Sequence, residues 1–208
     1  MSTSRDVAIF VGSLRKESFT RKVANAIARV APSTLNFQFI DIASVSHYNQ
    51  DLESAPPADW IAFRDKVRAV DALLFATPEY NRSVPGVLKN AIDVGSRPYG
   101  KSAWNGKPGA VVSVSPGALS GFGANHHLRQ SLVFLNVPAM QQPEAYLGHV
   151  TDDSFDESGS LKGGPLAQLV ASLAHAFHDW VEMIHRSRQL LAEDSAHANE
   201  QAKRREHA

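Results

Sequence analysis

In the segment Gly12-Ser13-Leu14-Arg15-Lys16-Glu17-Ser18-Phe19-Thr20, three hydroxyls and one guanidinium surround the start of a helical pattern. Free backbone amides at a helix N-terminus, together with the positive end of its dipole, favour a phosphate. Arg15 can grip such a group with a bidentate fork. Ser18 has two readings, a phosphate ligand or a plain helix cap. The spacing is neither G-x-G-x-x-G nor G-x-x-x-x-G-K-[ST], which argues against a dinucleotide fingerprint and a nucleoside-triphosphatase loop.

Two further segments suit a ligand. In Thr77-Pro78-Glu79-Tyr80-Asn81-Arg82-Ser83-Val84-Pro85-Gly86, two prolines stiffen the loop and Tyr80 offers a flat aromatic wall with a polar tip. The same segment also reads as a rigid turn before a helix, with Pro85 at a first helical position. Ser115-Pro116-Gly117-Ala118-Leu119-Ser120-Gly121-Phe122-Gly123 carries three glycines, which let backbone approach a ligand closely or simply give a flexible connection.

The elements that must position these loops follow from the hydrophobic pattern. Val7 to Val11, Asp71 to Thr77 and Gly109 to Val114 are short, almost wholly apolar runs, as buried parallel strands require. Phe37, Phe39 and Ile42 mark another strand, and Val137 to Met140 a short fifth one. Between them lie helical stripes: Val23, Ile27 and Val30, ended by Pro32; Trp60, Phe63, Val67 and Val70; Val87, Leu88, Ala91 and Ile92; and Leu128, Leu132 and Leu135. A last helix is predicted from about Pro165 to Ile184, with Leu166, Leu169, Val170, Leu173, Phe177, Trp180, Val181 and Ile184 on one face. Residues 186–208 hold only Leu190 and Leu191 as large apolar side chains and read as a polar, mobile tail after a domain spanning 1–185. Strand and helix in alternation predict an α/β doubly wound sheet, with ligands beyond the carboxyl ends of the strands. Each of the three candidate loops follows a predicted strand.

Composition narrows the chemistry. There are 21 Lys plus Arg against 21 Asp plus Glu, so no general charge draws the chain to nucleic acid or an anionic membrane. Cysteine is absent, which excludes disulfides, thiolate-held metal and a cysteine nucleophile, and leaves any redox chemistry to a bound cofactor. No apolar run approaches the ~20 residues of a membrane span, and the N-terminus has no signal-peptide core, so the expected compartment is the cytoplasm. His175, His178, Glu182 and His185 share a helical stripe beside the apolar face, and read as a solvated flank rather than a metal site. Of His126 and His127, at most one can face a pocket. Lys203-Arg204-Arg205 is diluted by Glu200 and Glu206 and does not read as a nucleic-acid site.

The strings G-S-L-R-K-E-S-F-T, P-E-Y-N-R-S-V-P-G-V-L-K-N-A-I-D and H-L-R-Q-S-L-V-F-L-N followed by P-E resemble the NADPH-dependent FMN reductase family, and within it the bacterial quinone and chromate reductases. The resemblance covers about residues 7 to 185. It implies a flavodoxin-like fold, a five-stranded parallel sheet of order 2-1-3-4-5 with helices on both faces, holding FMN non-covalently. By that resemblance Ser13, Leu14, Arg15, Ser18, Phe19 and Thr20 form the phosphate loop, with Thr20 where several relatives have Asn. Pro78, Glu79, Tyr80 and Asn81 line the isoalloxazine ring, and Ser115 and Gly117 lie on its other side. Arg82 stands where relatives usually carry Tyr and, with Gly121, is expected at the substrate rim. The segment Gly123-Ala124-Asn125-His126-His127 lacks the Arg and Tyr some relatives use across a tetramer interface, so a homodimer is expected and a tetramer is left open. The implied reaction is ping-pong hydride exchange from NADPH or NADH to quinone, free flavin, azo or oxidised-metal acceptors, with no obligatory side-chain acid or base. Two other readings remain: a flavodoxin-like electron carrier, against which the balanced charge weighs, and a fold binding some other phosphate ester.

Overall fold

Strands that are apolar at every position need cover on both faces. The computed structural model, which describes residues 3–206 and side chains as far as 198, provides it. β1 (Arg5–Val11), β2 (Leu35–Phe39), β3 (Ala72–Thr77), β4 (Gly109–Val114) and β5 (Ala145–Leu147) form one parallel sheet in the order β2-β1-β3-β4-β5. This is the doubly wound, flavodoxin-like arrangement predicted from the sequence.

α1 (Phe19–Val30) and α5 (Pro165–Glu206) cover one face, and α2 (Ala58–Ala69), α3 (Gly86–Gly95) and α4 (Phe122–Phe134) the other. The strand pleat sorts the core between them. Val7, Ile9 and Val11 of β1 pack toward α1 and α5, while Ala8 and Phe10 pack toward Trp60, Phe63 and Leu88. On that second side the fully buried Trp104 meets Phe10, Phe63 and Phe75 with ring centroids 5.1, 6.0 and 5.7 Å away.

Three boundaries differ from the sequence reading, the first being that of β2, which ends at Phe39, short of Ile42. The fifth strand is 145–147, not Val137 to Met140; that apolar run is a connection in which only Ala139 bridges Gly109. β5 was missed because three residues are too short to display a period of two. The helix expected to stop near Ile184 continues to Glu206. Past Ile184 it has no apolar stripe, but Ala, Glu, Gln, Arg and Lys are strong helix formers and sustain it without one. It includes Lys203-Arg204-Arg205, whose side chains lie outside those described.

On α5 the stripe of His175, His178, Glu182 and His185 disperses among separate partners. Glu182 pairs with Arg5 at 2.8 Å, His178 Nδ1 lies 2.9 Å from Asp179, and His185 Nε2 lies 3.1 Å from the Asp71 carbonyl.

Candidate functional site

All three loops leave the carboxyl ends of adjacent strands, β1, β3 and β4. The β1 loop turns at Gly12, whose amide donates to the Ala76 carbonyl at 2.8 Å. A Cβ there would stand 3.2 Å from Leu88 and Pro78, so glycine permits the close approach of the first two loops. Ser13 is buried and its Oγ accepts from the Arg15 amide at 3.4 Å. Ser18 is the N-cap of α1 and accepts from the Arg21 amide at 3.2 Å. Ser18 thus caps α1 through an oxygen lone pair, which leaves its hydroxyl proton free for donation, and the Phe19 and Thr20 amides have no intrahelical acceptors. Thr20 is buried beside them. Leu14 and Arg15 are exposed, and among the described residues the Arg15 guanidinium has no ion pair.

The β3 loop is pinned by reciprocal backbone bonds of 3.0 Å between Tyr80 and Ser83. Between them Asn81 and Arg82 have φ of 50° and 63°, a type I′ turn. Asn tolerates that region well and Arg does not, so the turn carries strain at Arg82. Arg82 donates to Glu79 Oε1 at 2.8 Å, and Glu79 Oε2 accepts from the Ala124 amide at 3.0 Å. The N-cap of α4, Gly121, has no side chain to offer, so Glu79 caps that helix from the neighbouring loop.

Burial raises the Glu79 pKa, but the Ala124 amide and the Arg82 guanidinium outweigh it and hold the carboxyl below its ordinary value. The sign for stability follows. The contribution of ionised Glu79 is complete above the unfolded-state value of about 4.3 and is lost as pH falls through the lower folded value. Thermal melts of the wild type and Glu79→Gln should therefore differ most near neutral pH and converge below about pH 4.

The β4 loop folds on its own hydroxyls. Ser115 Oγ accepts from the Gly117 amide at 3.0 Å, and buried Ser113 Oγ donates to the Ser120 carbonyl at 2.8 Å. Gly121 has φ 71°, and a Cβ there would stand 2.9 Å from Ser113 Cβ, so both backbone and space require glycine. Behind it the buried Asn125 donates to Ser113 Oγ and the Ala145 carbonyl and accepts from Arg129 at 2.9 Å. The sequence reading missed Ser113, Asn125 and Arg129. Asn125 was detectable, standing on the stripe of Leu128 and Leu132 where an apolar residue is the rule.

Between the second and third loops lies a cleft of about 490 Å³ lined by Glu79, Asn81, Arg82, Ser115, Gly117, Ala118, Leu119 and Gly121. Six of these are predicted site residues. Pro78 and Tyr80 belong to the same loop without lining the cleft, and Tyr80 is exposed. Ser13, Leu14, Arg15, Ser18, Phe19 and Thr20 form a separate cluster at the α1 N-terminus. The two histidines diverge as helix geometry demands. His127 Nδ1 lies 3.0 Å from Ser83 Oγ, and His126 Nε2 lies 3.0 Å from the Tyr146 hydroxyl. Neither lines the cleft.

A family model described as NADPH-dependent FMN reductase matches residues 5–152. The chain belongs to this family. It is 58% identical over 186 residues to a quinone reductase of Pseudomonas putida, covering 88% of this chain and 98% of that one. It is 41% identical over 175 residues to a 2-hydroxy-1,4-benzoquinone reductase of a Burkholderia species, covering 84% and 95%. Among solved structures, the flavoenzyme NAD(P)H:(acceptor) oxidoreductase FerB from Paracoccus denitrificans superposes with a TM-score of 0.82 at 37% identity, covering 86% of this chain and 98% of that one. As a member of the NADPH-dependent FMN reductase family, the chain is an oxidoreductase with FMN as cofactor and NAD(P)H as donor.

The residues present fit that cofactor. Two helix-terminal amides and a guanidinium, all without partners among the described residues, form a phosphate-binding donor set with the buried hydroxyls. The cleft between two glycine- and proline-shaped loops suits a flat ring with a polar edge.

Proposed function

We propose that the chain reduces quinones with NAD(P)H through FMN bound across these three loops, nicotinamide and acceptor using the same cleft in turn. The observation that carries this reading is the cleft itself. It opens beyond the carboxyl ends of β3 and β4, strands that follow β1 in the sheet, and six predicted site residues line it. Bound FMN supplies the hydride acceptor and donor; the protein supplies position and electrostatics. Arg15, Ser13 and Thr20 with the Phe19 and Thr20 amides hold the phosphate. Asn81, Ser115 and Gly117 flank the ring with backbone groups, and Glu79 fixes the two loops relative to each other. Arg82 and Gly121 border the space left for nicotinamide and acceptor. Free flavin, azo compounds and oxidised metal anions are further acceptors of the same open cleft.

The assembly we propose is a homodimer, with a tetramer as the larger alternative. Its support is the groove shared by Tyr99 and Phe134, which are 83% and 80% exposed, since neighbouring exposed aromatics mark interaction surfaces. Among the described residues no helix is long and apolar enough to cross a membrane. We place the protein in the cytoplasm and assign it no nucleic-acid partner.

An absorption spectrum of purified protein, recorded before and after anaerobic addition of NADPH, tests the function. Flavin bands near ~450 nm that bleach on NADPH are expected. Bands that persist would favour the electron-carrier reading. A colourless protein that takes up no added FMN would overturn the cleft assignment.

A further inference from the structure

We infer that Glu79 and Arg82 work as an opposed-charge pair that sets the redox balance of the flavin in this cleft. This rests on FMN occupying the cleft as proposed. Both residues line the same 490 Å³ space and are joined at 2.8 Å, so a ring held there lies against one anion and one cation. Their surroundings differ sharply. The Glu79 side chain is 10% exposed and acts through protein, whereas that of Arg82 is 71% exposed and is screened by water.

Reduction of FMN by NAD(P)H transfers a hydride, two electrons with one proton, and leaves oxidised nicotinamide. The ring thereby gains negative charge. An anion beside it disfavours the reduced state and a cation favours it. Glu79 also offsets the positive end of α4, through the Ala124 amide, that would otherwise pull electrons toward the cleft. The pair is consequently a brake and its partial release, held at fixed separation by the turn and the helix cap. Glu79 is thus a positioning residue with an electrostatic output.

Charge and cap can be separated. In Glu79→Gln the amide oxygen still accepts from Ala124, so the helix cap survives while the charge is lost. Arg82→Ala leaves the Glu79 charge and the cap in place. Anaerobic titration of each FMN-loaded protein against a reference dye should give shifts of opposite sign. Glu79→Gln should favour reduced flavin by about tenfold, equal to about 30 mV for a two-electron couple. Arg82→Ala should disfavour it by roughly threefold, the smaller effect of a screened charge. Arg82→Lys should return close to wild type, and the double variant should lie between the single ones. A role confined to folding would move both single variants the same way, or neither. Either result with FMN bound overturns the inference. Should Glu79→Gln fail to fold, the contrast of Arg82→Ala with Arg82→Lys decides alone, equal potentials overturning the pair. Failure of the wild type to bind FMN would instead sink the cleft reading on which the inference stands.

Discussion

Arg15→Ala is expected to raise the dissociation constant for FMN by about 10- to 100-fold, so that the protein loses its colour during purification. A charge-assisted hydrogen bond is worth about 1.5–3 kcal/mol, and each 1.4 kcal/mol is a factor of ten. Arg15 is exposed and has no ion pair among the described residues, so its truncation leaves no buried partner stranded. The melting temperature of the flavin-free protein should barely move, the change staying within about 0.5 kcal/mol. Riboflavin provides the control, since it carries the ring without the phosphate. Fluorescence titration should show its affinity unchanged by the substitution while that of FMN falls. Equal losses for the two ligands would mean that Arg15 does not hold the phosphate.

Trp104→Ala should produce the largest loss of stability, about 3–5 kcal/mol in urea unfolding, a substantial part of the 5–15 kcal/mol typical of a domain. The indole is fully buried among Phe10, Phe63 and Phe75, and its Nε1 donates to the Ile92 carbonyl at 2.9 Å. Removing it empties one of the two largest aromatic volumes on the α2–α3–α4 side, the other being Trp60, and leaves the Ile92 carbonyl with the Ser96 amide alone as donor. The surroundings cannot collapse onto the gap cheaply, because Gly95 is already shaped to the ring. A Cβ on Gly95 would come within 2.5 Å of the indole, so Gly95→Ala is damaging from the opposite direction by overpacking. Trp104 lines no part of the cleft, and the folded fraction of Trp104→Ala should bind FMN with nearly wild-type affinity. An unchanged unfolding midpoint would show that the cluster repacks.

What could be read in advance follows from how strongly each element writes itself into residue types. β3 and β4 are covered on both faces, so apolar runs announced them within a residue of their observed limits. Val137 to Met140 is equally apolar yet forms a buried connection, because composition reports burial and not hydrogen-bond pairing. The far half of α5 rests on helix propensity and on polar ties such as that of Arg188 to the Gly106 carbonyl, which periodicity does not register. Residue types put Arg15, Asn81 and Gly117 in loops that follow β1, β3 and β4, as the backbone has them. They did not show that Asn81 and Arg82 both take left-handed conformations, nor that Glu79 caps a helix 45 residues further along. Those are properties of backbone path and of loops meeting in space. Only the oddity of Asn125 on an apolar stripe hinted at the polar network behind the cleft.

The ends of the sheet bear on how the native protein behaves in a crowded solution. An unpaired strand edge is a template onto which another chain can add its own strand, and long, flat apolar edges seed fibrils. Here one border is β5, only three residues long, and the other is β2, where exposed Asn36 and Gln38 alternate with Leu35 and Phe37. Neither border gives an incoming strand a long apolar row to continue. Growth of β-rich aggregates from the folded molecule is thereby discouraged, and turbidity on heating should appear only as the chain unfolds.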